Sequence, residues 1–302
     1  MSDQAPDRAG LGAGLLAYSL WGLLPIVFLT AERAGAGALE VVAWRTIWSA
    51  PCAAALVWAV GRGAGLRTLS GRALASLALS AALIAGNWLV YVYAVESHQT
   101  VTASLGYYVN PLMNMAAGAV LFRERIARSG YVAIALAALG VGLQGLAIGS
   151  LPWIPIMLAL TFWGYGLVRK QAAADAQTGL LVECLILLVP AVAAAAWTAF
   201  NGQGRFGHGL GVTALLVFCG PATVIPLAAF AFAARRLPLT VLGFLQFIAP
   251  TLQFTVGVAS GEPLTPLRLL SFAFIWSGVA VFAGGAWARS RATARRLQPA
   301  RA

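Results

Sequence analysis

The sequence predicts an all-α integral membrane protein of ten transmembrane helices, built as two inverted-topology five-helix repeats with both termini cytoplasmic. Three observations predict it. Of the 302 residues, 60% are apolar and only 10% are charged, against about 25% charged in an ordinary soluble domain. The apolar residues fall in runs of roughly 20, the length a helix needs to cross the hydrocarbon core. Arg and Lys cluster between those runs on alternate sides. So few charges cannot cover a soluble fold of this size, and the surplus apolar surface must face lipid.

A short polar leader, 1–10, precedes the first run. Runs of spanning length then lie near 11–31, 40–60, 74–95, 102–122, 130–148, 151–168, 179–199, 211–234, 240–259 and 267–287, with a basic tail at 288–302. The first run is too long for a signal-peptide core and reads as a retained helix. Gly, Pro, Arg and short polar stretches separate the runs, and no loop is long enough for a soluble domain. Cys52, Cys184 and Cys219 all lie inside apolar runs, so they read as small buried hydrophobes rather than a disulfide framework.

The basic residues orient the chain. With the N-terminus inside, 16 of the 20 Arg and Lys fall in cytoplasmic segments and three, Arg33, Arg205 and Arg268, fall outside; Arg45 lies within a span. The opposite orientation inverts the ratio, against the excess of Arg and Lys in cytoplasmic loops. The net charge of +11 is therefore loop charge that orients a membrane protein. Its short clusters form no stripe of the kind that binds nucleic acid.

Two halves share a pattern. Trp21-Gly22 matches Trp163-Gly164, Glu40 matches Glu183, Pro111 matches Pro250, Glu124 matches Glu262, and Gly140 matches Gly278, at offsets of 138 to 143. The order is kept. Each half, 11–148 and 151–287, holds five spans, an odd number, so the second enters the membrane from the opposite side. Inverted repeats of this kind suit alternating access.

A charge inside the bilayer is costly and needs a reason. Glu40 and Arg45 are five residues apart on one helix, about 140° around its axis, so each is expected to find partners on other helices. Glu40 at the outer edge of span 2 and Glu183 near the inner edge of span 7 read as gates, tethers or proton carriers. Spans 3 and 4 hold the densest polar and aromatic set: Asn87, Trp88, Tyr91 and Tyr93, then Tyr107, Tyr108, Asn110 and Asn114. Asn87 with Tyr91, and Asn110 with Asn114, are one turn apart and share a face. Pro111 is expected to break the backbone ladder between the two asparagines, freeing a carbonyl. Span 9 repeats the arrangement with Gln246, Pro250 and Gln253. Polar groups beside a midplane proline point to a transport site, and equally to hydrogen bonds that hold the bundle together. Trp21 and Trp163 are cavity candidates because they recur beside glycine. The cavity is expected between spans 3, 4, 8 and 9 and the starts of spans 1 and 6.

Several chemistries are set aside. Lys170 is the only lysine and Gln171 follows it, so no phosphate loop exists. His98 and His208 stand 110 residues apart with no metal-ligand spacing. No nucleophile elbow is present. The expectation is no enzyme, no cofactor, no metal and no nucleic acid. The expected partners are a small-molecule substrate and the bilayer, and oligomeric state is left open.

Asn87-Trp88-Leu89, Ala103-Ser104-Leu105-Gly106-Tyr107-Tyr108-Val109-Asn110-Pro111-Leu112 and Arg123-Glu124-Arg125 together resemble the RarD family of EamA-type transporters, in the drug/metabolite transporter superfamily. Tyr165-Gly166-Leu167-Val168-Arg169-Lys170 and Leu242-Gly243-Phe244-Leu245-Gln246-Phe247-Ile248-Ala249-Pro250 extend the resemblance over nearly the whole chain. Trp44 stands where the family pattern has His, Thr102 where it has an acid, and Cys184 where it has Thr. The resemblance implies a ten-helix inner-membrane transporter exporting a metabolite or drug-like molecule through a central cavity. A non-transporting sensor or assembly protein would carry a soluble domain or long loop, and a passive channel would show a continuous polar stripe.

Overall fold

The computed structural model describes residues 7–121, 128–148, 151–234, 236–237 and 245–297. Every regular element among them is helical: α1 (Arg8–Arg33), α2 (Ala38–Ala59), a 3-10 turn (Gly63–Thr68), α3 (Gly71–Glu96), α4 (Thr100–Leu121), α5 (Arg128–Ile148), α6 (Trp153–Gln171), α7 (Ala176–Phe200), α8 (Leu210–Phe218), α9 (Pro221–Ala234), α10 (Ile248–Ala259) and α11 (Pro266–Leu297). Six stretches are long and apolar enough to cross a membrane: α1, α2, α3, α7, the α8–α9 stretch and the first part of α11. Shorter apolar helices add 128–143, 153–169 and 248–259. Large apolar side chains stand almost fully exposed around the outside, among them Leu210 at 92%, Phe200 at 90% and Trp58 at 86%. In water that surface would aggregate; in lipid it is at rest. The protein is a multi-pass membrane protein.

Local chemistry sets the helix ends. Asp7, Ser70 and Asp175 accept first-turn N–H groups of α1, α3 and α7 at 3.0, 3.2 and 3.0 Å, satisfying donors that the helix leaves free. Gly35, at φ +84°, makes the turn into α2 that a Cβ would strain.

Three elements differ from expectation. The run 211–234 is two helices, broken at Cys219–Gly220. Pro221 starts the second, where its missing N–H costs nothing. Gly220 lets α2 come close, since a Cβ there would lie 2.6 Å from Trp48 Cβ. Pro250 falls in the first turn of α10, so it interrupts no described helix. Helix α4 continues past Pro111 to Leu121, as the run 102–122 leads one to expect. Helix α11 continues through the basic segment to Leu297, carried by Ala and Arg, which favour helix. The side chains of Pro111 and Asn114, and all of Glu124, lie outside the described residues.

Packing is paired. Helix α1 lies on α9 and α10, α6 lies on α3 and α4, α2 lies on α7, and α5 on α11. At the last contact the glycines reciprocate. A Cβ on Gly140 would lie 2.8 Å from Ser271 O, and one on Gly278 would lie 2.9 Å from Ala133 O. Ser271 also donates to Gly140 O at 2.7 Å. Two apolar clusters pack the helices together: Phe28, Leu29, Val41, Val92 and Leu158 toward the Glu40 end, and Ala53, Val57, Leu181 and Val224 on the side of Arg62.

Candidate functional site

The helices enclose a cavity of two adjoining compartments that share Tyr18, Trp21, Arg45, Trp88, Phe162 and Gln246 as walls. The inner one holds about 110 Å³ and is completed by Asn87, Tyr91, Tyr107, Pro250 and Gln253. The wider one holds about 720 Å³ and runs past Glu183 and Thr223 to Arg62, Arg169 and Asp175. Arg62 is exposed, so this compartment reaches the surface. A separate groove of about 610 Å³ between α4 and α5 is lined only by apolar side chains and glycine, which suits lipid rather than a polar ligand.

Arg45 sits between the compartments, 4% exposed. Its Nε donates to Thr223 Oγ1 at 2.6 Å. Thr223 donates its own proton to Cys219 O at 2.8 Å, so its lone pair is free to accept. The guanidinium lies 4.2 Å over the Trp88 ring and 5.7 Å from Phe28, which offsets part of the cost of burying a charge. Nη1 has no hydrogen-bond partner.

Asn87 is a three-way tie. Its Oδ1 accepts from Tyr107 Oη at 3.0 Å, and its Nδ2 donates to Leu158 O and Thr161 Oγ1, each at 3.0 Å. It joins α3, α4 and α6 as well as lining the cavity. Tyr107 then meets Tyr91 and Phe162 edge to face at 5.5 and 5.8 Å. On the facing wall Gln253 Nε2 donates to Trp21 O at 3.4 Å, while its Oε1 has no partner.

Three buried carboxylates brace the bundle. Glu40 Oε1 accepts the N–H groups of Arg205 and Phe206, at 2.7 and 2.9 Å, and Trp44 stacks on Phe206 at 3.5 Å. Glu183 accepts from Ser80 Oγ at 2.5 Å and pairs with Arg169 at 3.5 Å. Tyr165 Oη also points at it, at 3.5 Å. Glu262 accepts the N–H groups of Thr100 and Val101, capping α4. At the open end, partial burial works against the Asp175 carboxylate, yet the Thr178 N–H and hydroxyl, the Arg62 charge and the Gln177 N–H together outweigh it and hold this carboxyl below its usual range.

Of the residues singled out from sequence, Trp21, Arg45, Asn87, Tyr91, Tyr107, Gln246, Pro250 and Gln253 line the inner compartment and Glu183 the wider one. Glu40 is 1% exposed, so it is no solvated helix end. Asn110 is buried with both amide atoms unpartnered and lines neither compartment. Trp163 points elsewhere, and its neighbour Phe162 forms the wall instead. Trp21 lies mid-helix in α1, not at its start. Tyr18, Phe162 and Thr223 were missed. Tyr18 is three residues before Trp21 and so shares its face. Thr223 is the only hydroxyl in α9. Among the described residues no group of His, Cys, Asp and Glu is placed to hold a metal.

A multi-pass helical bundle around a buried cavity with a few convergent polar groups has the architecture of a membrane transporter. The profile of the EamA-like transporter family matches residues 8–145. An uncharacterized transporter of Pseudomonas aeruginosa is 41% identical over 97% of this chain and 98% of its own. Protein RarD of Escherichia coli strain K12 is 38% identical over 97% of this chain and 100% of its own. A solved crystal structure superimposes with a TM-score of 0.59 over 98% of this chain and 100% of its own, at 19% identity, which speaks for the fold alone. The chain belongs to the RarD family of EamA-type transporters.

Proposed function

We propose that the protein is a secondary transporter, not an enzyme, which exports a small metabolite or drug-like molecule across the plasma (inner) membrane by alternating access. In this reading ten spans form two inverted repeats, 11–148 and 151–287, with both termini cytoplasmic. The observation that carries it is a central cavity walled off at the Glu40 end and reaching the surface at the Arg62 end. By the excess of Arg and Lys, the open end is the cytoplasmic one, so the conformation is inward-facing. The paired packing and the reciprocal Gly140 and Gly278 contacts support the repeat.

The repeat supplies a mechanism. Glu40 and Glu183 occupy equivalent positions at an offset of 143, and the same offset relates Arg62 to Arg205. In the inward-facing state Glu40 holds the Arg205–Phe206 loop shut, while Glu183 is held by Ser80 and Arg169. In the outward-facing state Glu183 takes the N–H groups of the Arg62–Gly63 loop and Glu40 releases its own. Each closure excludes the other because both use the same two repeats.

The test is two-sided labelling in proteoliposomes with a membrane-impermeant thiol reagent, after replacing the three native cysteines. Ala231→Cys reports the wide compartment and Ala94→Cys the closed end. Glu40→Gln is expected to raise outside labelling at position 94 and lower inside labelling at 231. Labelling of the two positions that changes independently would point to a channel or a static protein and defeat the reading.

A further inference from the structure

We propose that the substrate is an organic anion, a single carboxylate on a compact apolar or aromatic body, with the carboxylate seated against Arg45. The proposal rests on the transporter reading for its meaning but on Arg45 for its evidence. Arg45 is a permanent cation, buried more than one turn inside α2 and 4% exposed. Among the described residues no carboxylate comes within ion-pair distance of it, since the pairs present are Arg169 with Glu183 and Arg236 with Asp7. An uncompensated buried charge is among the costliest features a membrane protein can keep. Thr223 takes one N–H, and the guanidinium carbon lies 4.2 Å over the Trp88 ring and 5.7 Å over the Phe28 ring. Nη1 is buried and unpartnered, on a side chain that lines both compartments. An in-plane donor pair is what a carboxylate matches.

The rest of the wall defines the body and excludes other charges. Tyr18, Trp21, Trp88 and Phe162 present ring faces and edges to both compartments. No acidic side chain lines the inner compartment among the described residues; of the two on the wider one, Glu183 is engaged by Ser80 and Arg169, and Asp175 caps α7 through the Thr178 N–H. In the inner compartment the amine of a zwitterion would find no counter-charge, and a cation would meet Arg45 directly. Three arginines, Arg45, Arg62 and Arg169, against two carboxylates, Asp175 and Glu183, leave the wide compartment net positive, which favours entry of anions.

The test is binding of radiolabelled benzoate to the purified full-length protein, with indole-3-acetate, phenyl phosphate, phenylalanine, phenethylamine and benzyl alcohol as competitors. Benzoate is expected to bind saturably, and indole-3-acetate to displace it. Benzyl alcohol and phenethylamine, which lack the carboxylate, and phenylalanine, whose ammonium finds no partner, should each compete at least about tenfold more weakly. Arg45→Gln should lose benzoate binding and Arg45→Lys should keep part of it, each with an unchanged melting temperature. If Arg45→Gln does not fold, the wild-type competition series decides alone. Benzyl alcohol or phenethylamine competing as well as a carboxylate overturns the proposal, as does full binding by folded Arg45→Gln. Phenyl phosphate winning over benzoate replaces the carboxylate with a phosphate ester and overturns it too. Absence of benzoate binding while two-sided labelling still alternates removes the substrate class and leaves the transporter. Binding at Arg45 without alternation does the reverse.

Discussion

Glu40 and Phe206 are joined at two levels: the carboxylate accepts the Phe206 N–H at 2.9 Å, and one turn along α2 Trp44 stacks on the Phe206 ring at 3.5 Å. The same oxygen also holds the Arg205 N–H at 2.7 Å. Charge-assisted bonds of this kind are about twice as strong as neutral ones. Glu40→Gln keeps the shape and removes the charge. It should lower stability by about 1–3 kcal/mol, read as a lower melting temperature in detergent. An unchanged melting temperature would mean that the stack alone holds the loop.

Asn87 should be less replaceable than a typical membrane asparagine. Interhelical hydrogen bonds in bilayers average only about 0.6 kcal/mol. Asn87 serves three partners at once, and Asn87→Leu leaves Tyr107 Oη and Thr161 Oγ1 without it. The expected loss is about 1–3 kcal/mol, measured by thermal unfolding against Asn110→Leu. That comparison should come out mild, because the Asn110 amide has no partner to lose.

Two neighbouring glycines in α5 should respond in opposite senses. A methyl on Gly140 would press into Ser271 O at 2.8 Å, whereas one on Gly142 meets nothing within 4 Å. Gly140→Ala should cost about 1–3 kcal/mol through overpacking. Gly142→Ala should be neutral or stabilise by up to about 1 kcal/mol through helix propensity. Equal effects at the two positions would show that α5 and α11 do not approach as described.

Asp175 gives a pH signature outside the membrane. It caps α7 through the Thr178 N–H at 3.0 Å, and its folded carboxyl lies below the usual range. A carboxyl depressed on folding stabilises above its unfolded value, about 3.9, and loses that contribution as pH falls through the folded value. Asp175→Ala should therefore cost about 1 kcal/mol at neutral pH. The gap between variant and wild type should close below about pH 4. A gap that persists in acid would assign the loss to packing.

Much of the site was readable residue by residue. Arg45 announced itself because a charge inside an apolar run has few innocent explanations. Asn87, Tyr91 and Tyr107 stood out by polarity at helical spacing. Tyr18 and Phe162 did not, because an aromatic in a membrane helix has the same composition whether it faces lipid, a neighbour or a cavity. Helix rotation decides among these, and it is set by packing against other helices. Asn110 is the reverse case: it is polar beside a proline, yet it lines neither compartment.

What the amino-acid sequence determined by itself is the solvent and the class. Sixty per cent apolar residues in spanning runs leave lipid as the surrounding medium, and family-wide residue patterns place the chain among EamA-type transporters. Those properties are local or additive along the chain. The tertiary structure decided which groups meet: Arg45 with Thr223 across 178 residues, Glu40 with Arg205 across 165, Asn87 with Leu158 across 71. It also decided that the 211–234 run breaks at Gly220, where α2 comes too close for any side chain but hydrogen. Such pairings depend on helix rotation and close approach, which arise only when all the helices pack at once.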